Sequence, residues 1–345
     1  GDAWVKKENY VGNGAYKLTN HIINEKIEFE RNPLYWNDKE TVINSATFLA
    51  IENPSTDVAR YRAGDLDMTN YGLPPEQFAK LQKELPGEVY ITRTLATYSY
   101  ELNNKKAPFD NVNIRKALNL SLDRNVITDK VLGQGQTPTY VFTPTYIEEG
   151  HLIQQPAYSK EPMAQRNEEA IKLLEEAGYS KANPLKFTIL YNTNENHKKV
   201  AIAAASMWKA NTKGLIDVKL ENQEWKTYID SRRAGRYDAA RAGWNADYNQ
   251  ATTFGNYFLS NSSNNTAKYA NPEYDKAIAE SYVATDAEGR AKAYAKAEEI
   301  LAKDFGIVPI FNYVNPRLVK PYVKGYSGKD PQDHIYLRNL YIIKH

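Results

Sequence analysis

Leu185-Lys-Phe-Thr-Ile-Leu-Tyr191 alternates apolar and polar side chains, which is the two-residue period of a strand with one buried face. Ile216-Asp-Val-Lys-Leu-Glu221 repeats the pattern, and Tyr237-Asp-Ala-Ala-Arg-Ala242 reads as a third short strand. Helical patterns fill the intervals, at about 197–211 and from 225 to about 234. Strands that alternate with helices in this way predict a parallel sheet with right-handed crossovers, and therefore an α/β fold.

The sequence on both sides of this unit predicts at least two lobes in an α/β or α+β protein. Two short helices are expected early in the chain, one ending at Gly64 and one running from Pro74 to Leu85. Strand-like runs lie at 15–18, 22–31, 41–51, 65–68, 89–93, 97–103, 307–314 and 336–343, and further helices at 112–131, 167–177, from 272 onward and at 288–303. Because Pro309 has no backbone N–H, its strand is expected at a sheet edge or at a bulge.

The composition predicts a water-soluble globular protein and excludes several functions. The 345 residues are 42% hydrophobic and 25% charged, and the longest apolar stretch, Val200–Ala205, is far shorter than the ~20 residues of a membrane-spanning helix. Lys and Arg number 44 against 42 for Asp and Glu, so no strong field favours nucleic acid or an anionic membrane as a partner. The absence of cysteine excludes thiol catalysis, disulfides and thiolate zinc sites. The 26 tyrosines indicate a binding surface or aromatic core packing.

Motifs of enzymes and metal sites are nearly absent. The five histidines have no metal-ligand spacing, and no G-x-S-x-G sequence occurs, so neither a metal nor a cofactor is predicted. Ser206-Met-Trp-Lys209 matches the S-x-x-K pattern in which a lysine activates a serine one helical turn away. No Lys-Thr-Gly sequence completes such a site. An amide hydrolase using Ser206 and Lys209 therefore remains only as an alternative hypothesis.

The parallel unit predicts where a ligand would bind. Ligands of open parallel sheets lie outside the carboxyl ends of the strands, so the loops at 192–197, 222–225 and 243–247 are expected at one edge. These loops and the residue after them supply aromatic and polar side chains with one carboxylate: Asn192, His197, Trp225, Trp244, Asp247 and Tyr248. Such a set suits a cationic amine, backbone amides and apolar side chains. The alternative is that the two tryptophans belong to the core and that Asp247 caps a helix or is a solvated loop residue.

Several longer motifs resemble those of a known family. They are Gly12-Asn-Gly-Ala-Tyr16, Tyr61-Arg-Ala-Gly-Asp-Leu-Asp67, Asn222-Gln-Glu-Trp-Lys226, Arg241-Ala-Gly-Trp-Asn-Ala-Asp-Tyr248 and Ser262-Ser-Asn-Asn-Thr266. Together they resemble the periplasmic oligopeptide-binding proteins, which are solute-binding proteins of ABC importers. Asn194-Glu-Asn-His197 and Thr227-Tyr-Ile-Asp-Ser231 are also similar to the murein-peptide-binding members of that family.

The resemblance implies a two-lobed periplasmic-binding-protein-like fold of the cluster C type, here lacking the N-terminal part and the extra domain. Residues 1–100 and 315–345 would form a partial first lobe, and residues 101–314 the second, ligand-binding lobe. It further implies a periplasmic, monomeric protein without a cofactor or catalytic activity. Such a protein binds short peptides in extended form between its lobes and delivers them to a membrane ABC permease complex.

The resemblance also implies roles for individual residues. Asp247 would pair with the α-ammonium of the peptide, and the backbone at Gly243 and Asn245 would bind its amides. Arg232, Arg241 and His197 would meet carboxylates of ligands of different length, although Arg241 could instead hold Asp247 in place. Side-chain pockets would be lined by Trp225, Ile229, Trp244, Asn192, Glu101, Thr266 and Tyr313, with Asn70 and Tyr71 contributed by the first lobe. Leu132 stands where the oligopeptide binders have a lysine, a departure that favours the murein-peptide alternative.

Overall fold

A computed structural model of the chain describes residue 3, residues 6–70 and residues 72–345. The chain divides into two compact units, one of residues 1–92 and 315–345 (unit 1) and one of residues 93–314 (unit 2). The boundary predicted near residue 100 falls inside the second of two predicted strands, 89–93 and 97–103. In the structure those two strands are one continuous strand, and the unit boundary lies within it.

Unit 1 is built on an antiparallel sheet of β1 (Tyr16–Ile22), β2 (Lys26–Arg31) and β3 (Ser45–Leu49), with β2 in the centre. The single strand predicted at 22–31 is wrong, because a turn with Asn24 at φ 61° separates β1 from β2. Asparagine tolerates this left-handed conformation better than most residues.

The two predicted helices of unit 1 are confirmed as α1 (Pro54–Ala63) and α2 (Pro75–Glu84). The Asn53 side chain caps α1 by accepting hydrogen bonds from the backbone of the second and third residues after it, and Gly64 ends the helix at φ 88°. The apolar faces of the two helices, with Leu73 and Leu318, form the core of the unit: Val58, Tyr61, Leu73, Phe78, Leu81 and Leu318.

Two other strand predictions in unit 1 are largely wrong. The run at 65–68 forms one isolated bridge, between Met68 and Val319, instead of a strand. The C-terminal run at 336–343 contains a short 3₁₀ turn, Leu337–Asn339, and only its last residues form a strand.

Unit 2 contains the predicted β-α-β-α-β arrangement. Its elements in chain order are β4 (Val89–Leu102, which begins in unit 1), α3 (Val112–Leu120), β5 (Thr137–Pro138), α4 (Met163–Glu176), β6 (Leu185–Asn192), α5 (Glu195–Asn211), β7 (Ile216–Gln223), α6 (Trp225–Arg233), β8 (Ala239–Asn245), α7 (Thr252–Gly255), α8 (Pro272–Val283), α9 (Ala287–Lys303) and β9 (Ile307–Leu318). The strand order is β5-β9-β4-β8-β6-β7. Because β6 pairs in parallel with both β7 and β8, the predicted parallel unit is confirmed. The remaining strands, β10 (Val323–Lys324) and β11 (Tyr341–Ile342), form an antiparallel pair in unit 1.

Helix α5 packs one face into the core of unit 2. Val200, Ala204 and Trp208 are buried, and the Trp208 indole donates a hydrogen bond to the Leu118 carbonyl at 2.9 Å. The long helix predicted at 112–131 is wrong, because α3 ends at Leu120 and a separate π-helical turn follows at Val126–Leu132.

Pro309 predicts a strand at the sheet edge or at a bulge. Strand β9 is not at the edge, because it lies between β5 and β4. The two residues of β5 pair only with Phe311 and Asn312. Pro309 therefore lies outside this short ladder, and its carbonyl accepts a hydrogen bond from the buried Arg124 at 2.7 Å. Within the described residues, no helix combines the length and apolar character needed to cross a bilayer.

Candidate functional site

The carboxyl ends of β6, β7 and β8 lie at one edge of the unit 2 sheet, as predicted. Asn192 at the end of β6 is opposite Gln223 at the end of β7, and α5 and α6 begin within three residues of these ends. Strand β8 pairs with β6 in parallel only at Ala239 and Ala240. The remainder of β8, from Arg241 to Asn245, therefore extends beyond its ladder with β6.

This extension of β8 has one paired and one unpaired edge. The backbone N–H of Ala246 donates to the Leu95 carbonyl. Every second residue is hydrogen-bonded in an antiparallel pair, so the even-numbered residues of β8 bond to β4. The N–H and C=O groups of Gly243 and Asn245 consequently point away from β4. In the part of the chain that the structure describes, neither backbone makes a further hydrogen bond.

Arg241 lies against this edge and is held from several sides. Its Nη2 atom donates to the Tyr313 hydroxyl at 2.5 Å, its Nη1 atom is 3.4 Å from Oδ1 of Asn192, and its guanidinium lies over the Tyr98 ring. A Cβ atom at position 243 would lie 2.9 Å from the Arg241 guanidinium and 3.0 Å from the Tyr313 hydroxyl. Glycine at 243 therefore allows Arg241 and Tyr313 to pack on the strand.

His197 belongs to the first turn of α5 and lies beside the same aromatic ring. Its imidazole centroid is 5.6 Å from that of Tyr98. Burial, and secondarily the charge of Arg241, hold the pKa of His197 well below its usual value. The imidazole is therefore neutral at pH 7 and offers a carboxylate an uncharged hydrogen bond rather than an ion pair.

Glu101 and Arg232 form a second, buried cluster in unit 2. Arg232 Nη2 lies 2.9 Å from Oε2 of Glu101 and 3.0 Å from the Thr266 hydroxyl. The Tyr257 hydroxyl donates to the other oxygen of Glu101 at 2.6 Å. Arg232 is predicted to bind ligand carboxylates, but its guanidinium is already paired with Glu101 inside unit 2.

Trp244 and Asp247 follow the edge into the next loop. The Trp244 indole N–H donates to the Thr253 carbonyl at 3.0 Å, and its ring packs on Tyr257. The Asp247 N–H donates to the Thr253 hydroxyl at 3.1 Å, and that hydroxyl lies 3.3 Å from Oδ2 of Asp247. Thr253 thus orients a carboxylate that is exposed on the surface of unit 2.

The remaining predicted residues are distributed over both units. Trp225 is 55% exposed and stacks on Tyr228, so it is not a core residue. Ile229 is partly buried against the cluster that contains Tyr228. In unit 1, the side chain of Asn70 is exposed, and Tyr71 lies outside the described residues.

Leu132 and Ser206 also have defined positions in unit 2. Leu132 is buried in the core. Ser206 is on an exposed part of α5, and Lys209 Nζ lies 3.5 Å from an Asp217 carboxylate oxygen. The Lys209 side chain is therefore directed to a carboxylate on β7, which favours a surface ion pair over a Ser–Lys site.

Comparison with known proteins assigns the chain to a family. The model of the bacterial extracellular solute-binding proteins, family 5 (middle), matches residues 1–266. The chain belongs to this family. The predicted resemblance and the periplasmic-binding-protein-like α/β fold are therefore confirmed.

Relatives and solved structures of family 5 agree with this assignment. The whole chain is 97% identical to the periplasmic oligopeptide-binding protein OppA of Haemophilus influenzae and 43% identical to the periplasmic murein peptide-binding protein MppA of Escherichia coli. It spans about 64% of the length of each. A crystal structure of H. influenzae OppA in complex with RPPGFSPFR matches with a TM-score of 0.96 at 96% identity, covering all of this chain and 67% of that one. The E. coli murein tripeptide binding protein MppA matches with a TM-score of 0.94 at 43% identity and with the same coverage.

Several residues of this candidate site are not predicted by the sequence. Tyr98 contacts both His197 and Arg241, Tyr257 binds Glu101, and Thr253 orients Asp247. The alternation of Tyr98 with Tyr100 indicates a strand face, but only the pairing of β4 with β8 places that face beside Gly243.

Proposed function

We propose that the protein to which this chain belongs is a periplasmic receptor that binds short peptides in extended form and delivers them to a membrane ABC permease. The observation that carries the proposal is the unpaired edge of β8 at Gly243 and Asn245, two residues before the exposed carboxylate of Asp247. The peptide complex of H. influenzae OppA supports it, because that protein is 96% identical to this chain.

The edge of β8 provides the main-chain part of peptide binding. An extended peptide that adds to a strand edge satisfies its own N–H and C=O groups, whatever its sequence. Gly243 and Asn245 each offer one N–H and one C=O group at the open edge of β8, and β4 occupies the opposite edge of the strand. A peptide is therefore expected to lie along β8 on the side that β6 leaves open.

Asp247 provides the charge that fixes the direction of the peptide. Its carboxylate would receive the α-ammonium, and a charge-assisted hydrogen bond of this kind contributes about 1.5–3 kcal/mol. Arg241 and neutral His197 lie toward the other end of the open edge and would meet polar groups farther along the peptide. Trp225, Ile229, Trp244, Asn192, Glu101, Thr266 and Tyr313 would line side-chain pockets in unit 2.

We infer a binding protein without catalytic activity or a cofactor. The relatives are named as binding proteins, and the paired Lys209 argues against a Ser–Lys hydrolase. We further propose a monomer, and the net charge of +2 favours no nucleic-acid partner.

Calorimetry with the protein made from its complete gene tests the proposal. A free tripeptide such as Lys-Lys-Lys should bind, and its N-acetylated form should bind at least tenfold more weakly, since acetylation removes the charge that Asp247 receives. Equal affinity for both peptides would contradict the role of Asp247. A murein-peptide receptor would instead prefer L-Ala-γ-D-Glu-diaminopimelate in direct competition with Lys-Lys-Lys.

A further inference from the structure

The loop that carries Asp247 lies against a second loop of unit 2. Residues 246–251 (the Asp247 loop) connect β8 to α7. Residues 144–150 (the bracing segment) belong to the stretch of chain between β5 and α4. Ile147 of the bracing segment and Ala251 of the Asp247 loop are buried in the same apolar cluster. The two loops therefore share a part of the core.

Hydrogen bonds also join the bracing segment to the Asp247 loop. The Ala251 N–H donates to the Glu148 carbonyl at 3.0 Å, and the Glu148 N–H donates to Oδ1 of Asn249 at 3.2 Å. The side-chain amide of Gln250 donates to Oε2 of Glu149 at 2.8 Å. Three successive residues of the Asp247 loop are thus bonded to two successive residues of the bracing segment.

Glu149 links the Asp247 loop to helix α9. Its side chain is 5% exposed, and its Oε1 atom lies 2.7 Å from Nε and 2.6 Å from Nη2 of Arg290 on α9. The other carboxylate oxygen accepts the bond from Gln250. Because little water reaches this carboxylate, its charge-assisted bonds hold it more firmly than a surface ion pair would.

The backbone of Glu149 is also in an uncommon conformation. Its φ angle is 65°, in the left-handed region that is disfavoured for residues with a Cβ atom. Such conformations persist where the surrounding structure constrains them, and they are concentrated at functional sites. Here the bonds of Glu148 and Glu149 to the Asp247 loop supply the constraint.

We propose that Glu149 is a positioning residue for peptide binding, which fixes Gln250 and thereby the loop that presents Asp247 to the α-ammonium of the peptide. This inference rests on the proposed function, in which Asp247 receives that ammonium. Thr253 connects the two ends of the loop, since its N–H donates to the Gln250 carbonyl at 3.3 Å and its hydroxyl accepts from the Asp247 N–H at 3.1 Å. A displacement of Gln250 therefore reaches Asp247 through one intervening residue.

Calorimetry with Glu149→Gln, made in the protein from its complete gene, tests the proposal. The substitution keeps the length of the side chain and removes the charge that Arg290 binds. The affinity for free Lys-Lys-Lys should fall about fivefold, the size expected for one lost or misaligned hydrogen bond. The affinity for N-acetylated Lys-Lys-Lys should be unchanged, because that peptide brings no ammonium to Asp247.

Glu288→Gln is the matched control, since it makes the same charge change on α9, at an exposed residue 3.4 Å from His151. It should leave both affinities unchanged. No loss for Glu149→Gln, or an equal loss for the free and the acetylated peptide, would overturn the proposal. A loss for Glu288→Gln as large as that for Glu149→Gln would show a general effect of charge and would also overturn it.

A double-variant cycle with Asp247→Asn separates this inference from the proposed function. Glu149→Gln should weaken binding of the free tripeptide in the wild type but not in the Asp247→Asn background. If Asp247→Asn alone leaves the affinity unchanged, the proposed role of Asp247 fails and the inference fails with it. If Asp247→Asn weakens binding and Glu149→Gln does not, only the positioning role of Glu149 fails.

Gln250→Met tests the same link from the side of the loop and leaves the ion pair of Glu149 with Arg290 intact. It removes the amide that donates to Glu149. The variant should show the same selective loss for the free tripeptide, and this loss should not add to that of Glu149→Gln. Unchanged affinity in Gln250→Met, or fully additive losses in the double variant, would contradict a path through Gln250.

Discussion

Arg232 Nη2 lies 2.9 Å from Oε2 of Glu101, and both side chains are buried inside unit 2. The two residues are separated by 131 positions in sequence. Water does not solvate these two charges in the interior of unit 2. Each charge is therefore stabilised there by the other.

Glu101→Gln should therefore destabilise the protein strongly, because it leaves the Arg232 guanidinium buried without its counter-ion. The free energy of unfolding in urea should fall by about 3–5 kcal/mol. Glu280→Gln is the matched control, since Glu280 pairs with Lys296 on the surface and should contribute less than about 1 kcal/mol. A loss for Glu101→Gln as small as that of the control would contradict the dependence of Arg232 on Glu101.

Gly243→Ala should weaken peptide binding and lower the Tm, because its methyl group would lie about 3 Å from both the Arg241 guanidinium and the Tyr313 hydroxyl. Tyr313→Phe removes one of these two atoms. In the Tyr313→Phe background, Gly243→Ala should therefore cause a smaller loss of peptide affinity and of Tm than in the wild type. Calorimetry and thermal unfolding measure the two losses. Strictly additive effects would indicate that Tyr313 does not constrain position 243.

The sequence predicts the parallel unit well but not the clusters built on it. Alternation in β6 and β7 and the apolar face of α5 depend on local periodicity, which a single sequence displays. The pairing of Glu101 with Arg232 depends on the alignment of β4 beside β8, which no local pattern encodes. The strand predicted at 65–68 fails for a related reason, since a strand also needs partners, and among the described residues only Val319 bridges to it.

The stability of the protein should depend on pH through His197. Its pKa is lowered in the folded state, so below the unfolded value of about 6.5 the unfolded chain binds a proton that the native imidazole does not. This contribution is present above pH 6.5 and is lost as the pH falls. Between pH 7.5 and 5.5, urea unfolding should show a loss about 1 kcal/mol larger for the wild type than for His197→Gln. An identical pH dependence of the two proteins would contradict a His197 that stays neutral in the folded protein.

Thr253→Val tests how Asp247 is oriented. The substitution keeps the shape of the side chain but removes the hydroxyl that contacts both the N–H and the carboxylate of Asp247. The affinity for a free tripeptide should fall by about 0.5–1.5 kcal/mol in calorimetry. Binding of the N-acetylated tripeptide should be unchanged, and an equal loss for both peptides would mean that Thr253 acts on the fold instead.

Amide exchange at Gly243 and Asn245 shows whether a peptide adds to the open edge of β8. The measurement compares the complete protein with and without a saturating tripeptide, resolved to single residues. We expect one or both amides to become protected on binding, while Ala242 and Trp244, which bond to β4, stay protected throughout. Unchanged exchange at Gly243 and Asn245 in the saturated protein would contradict it.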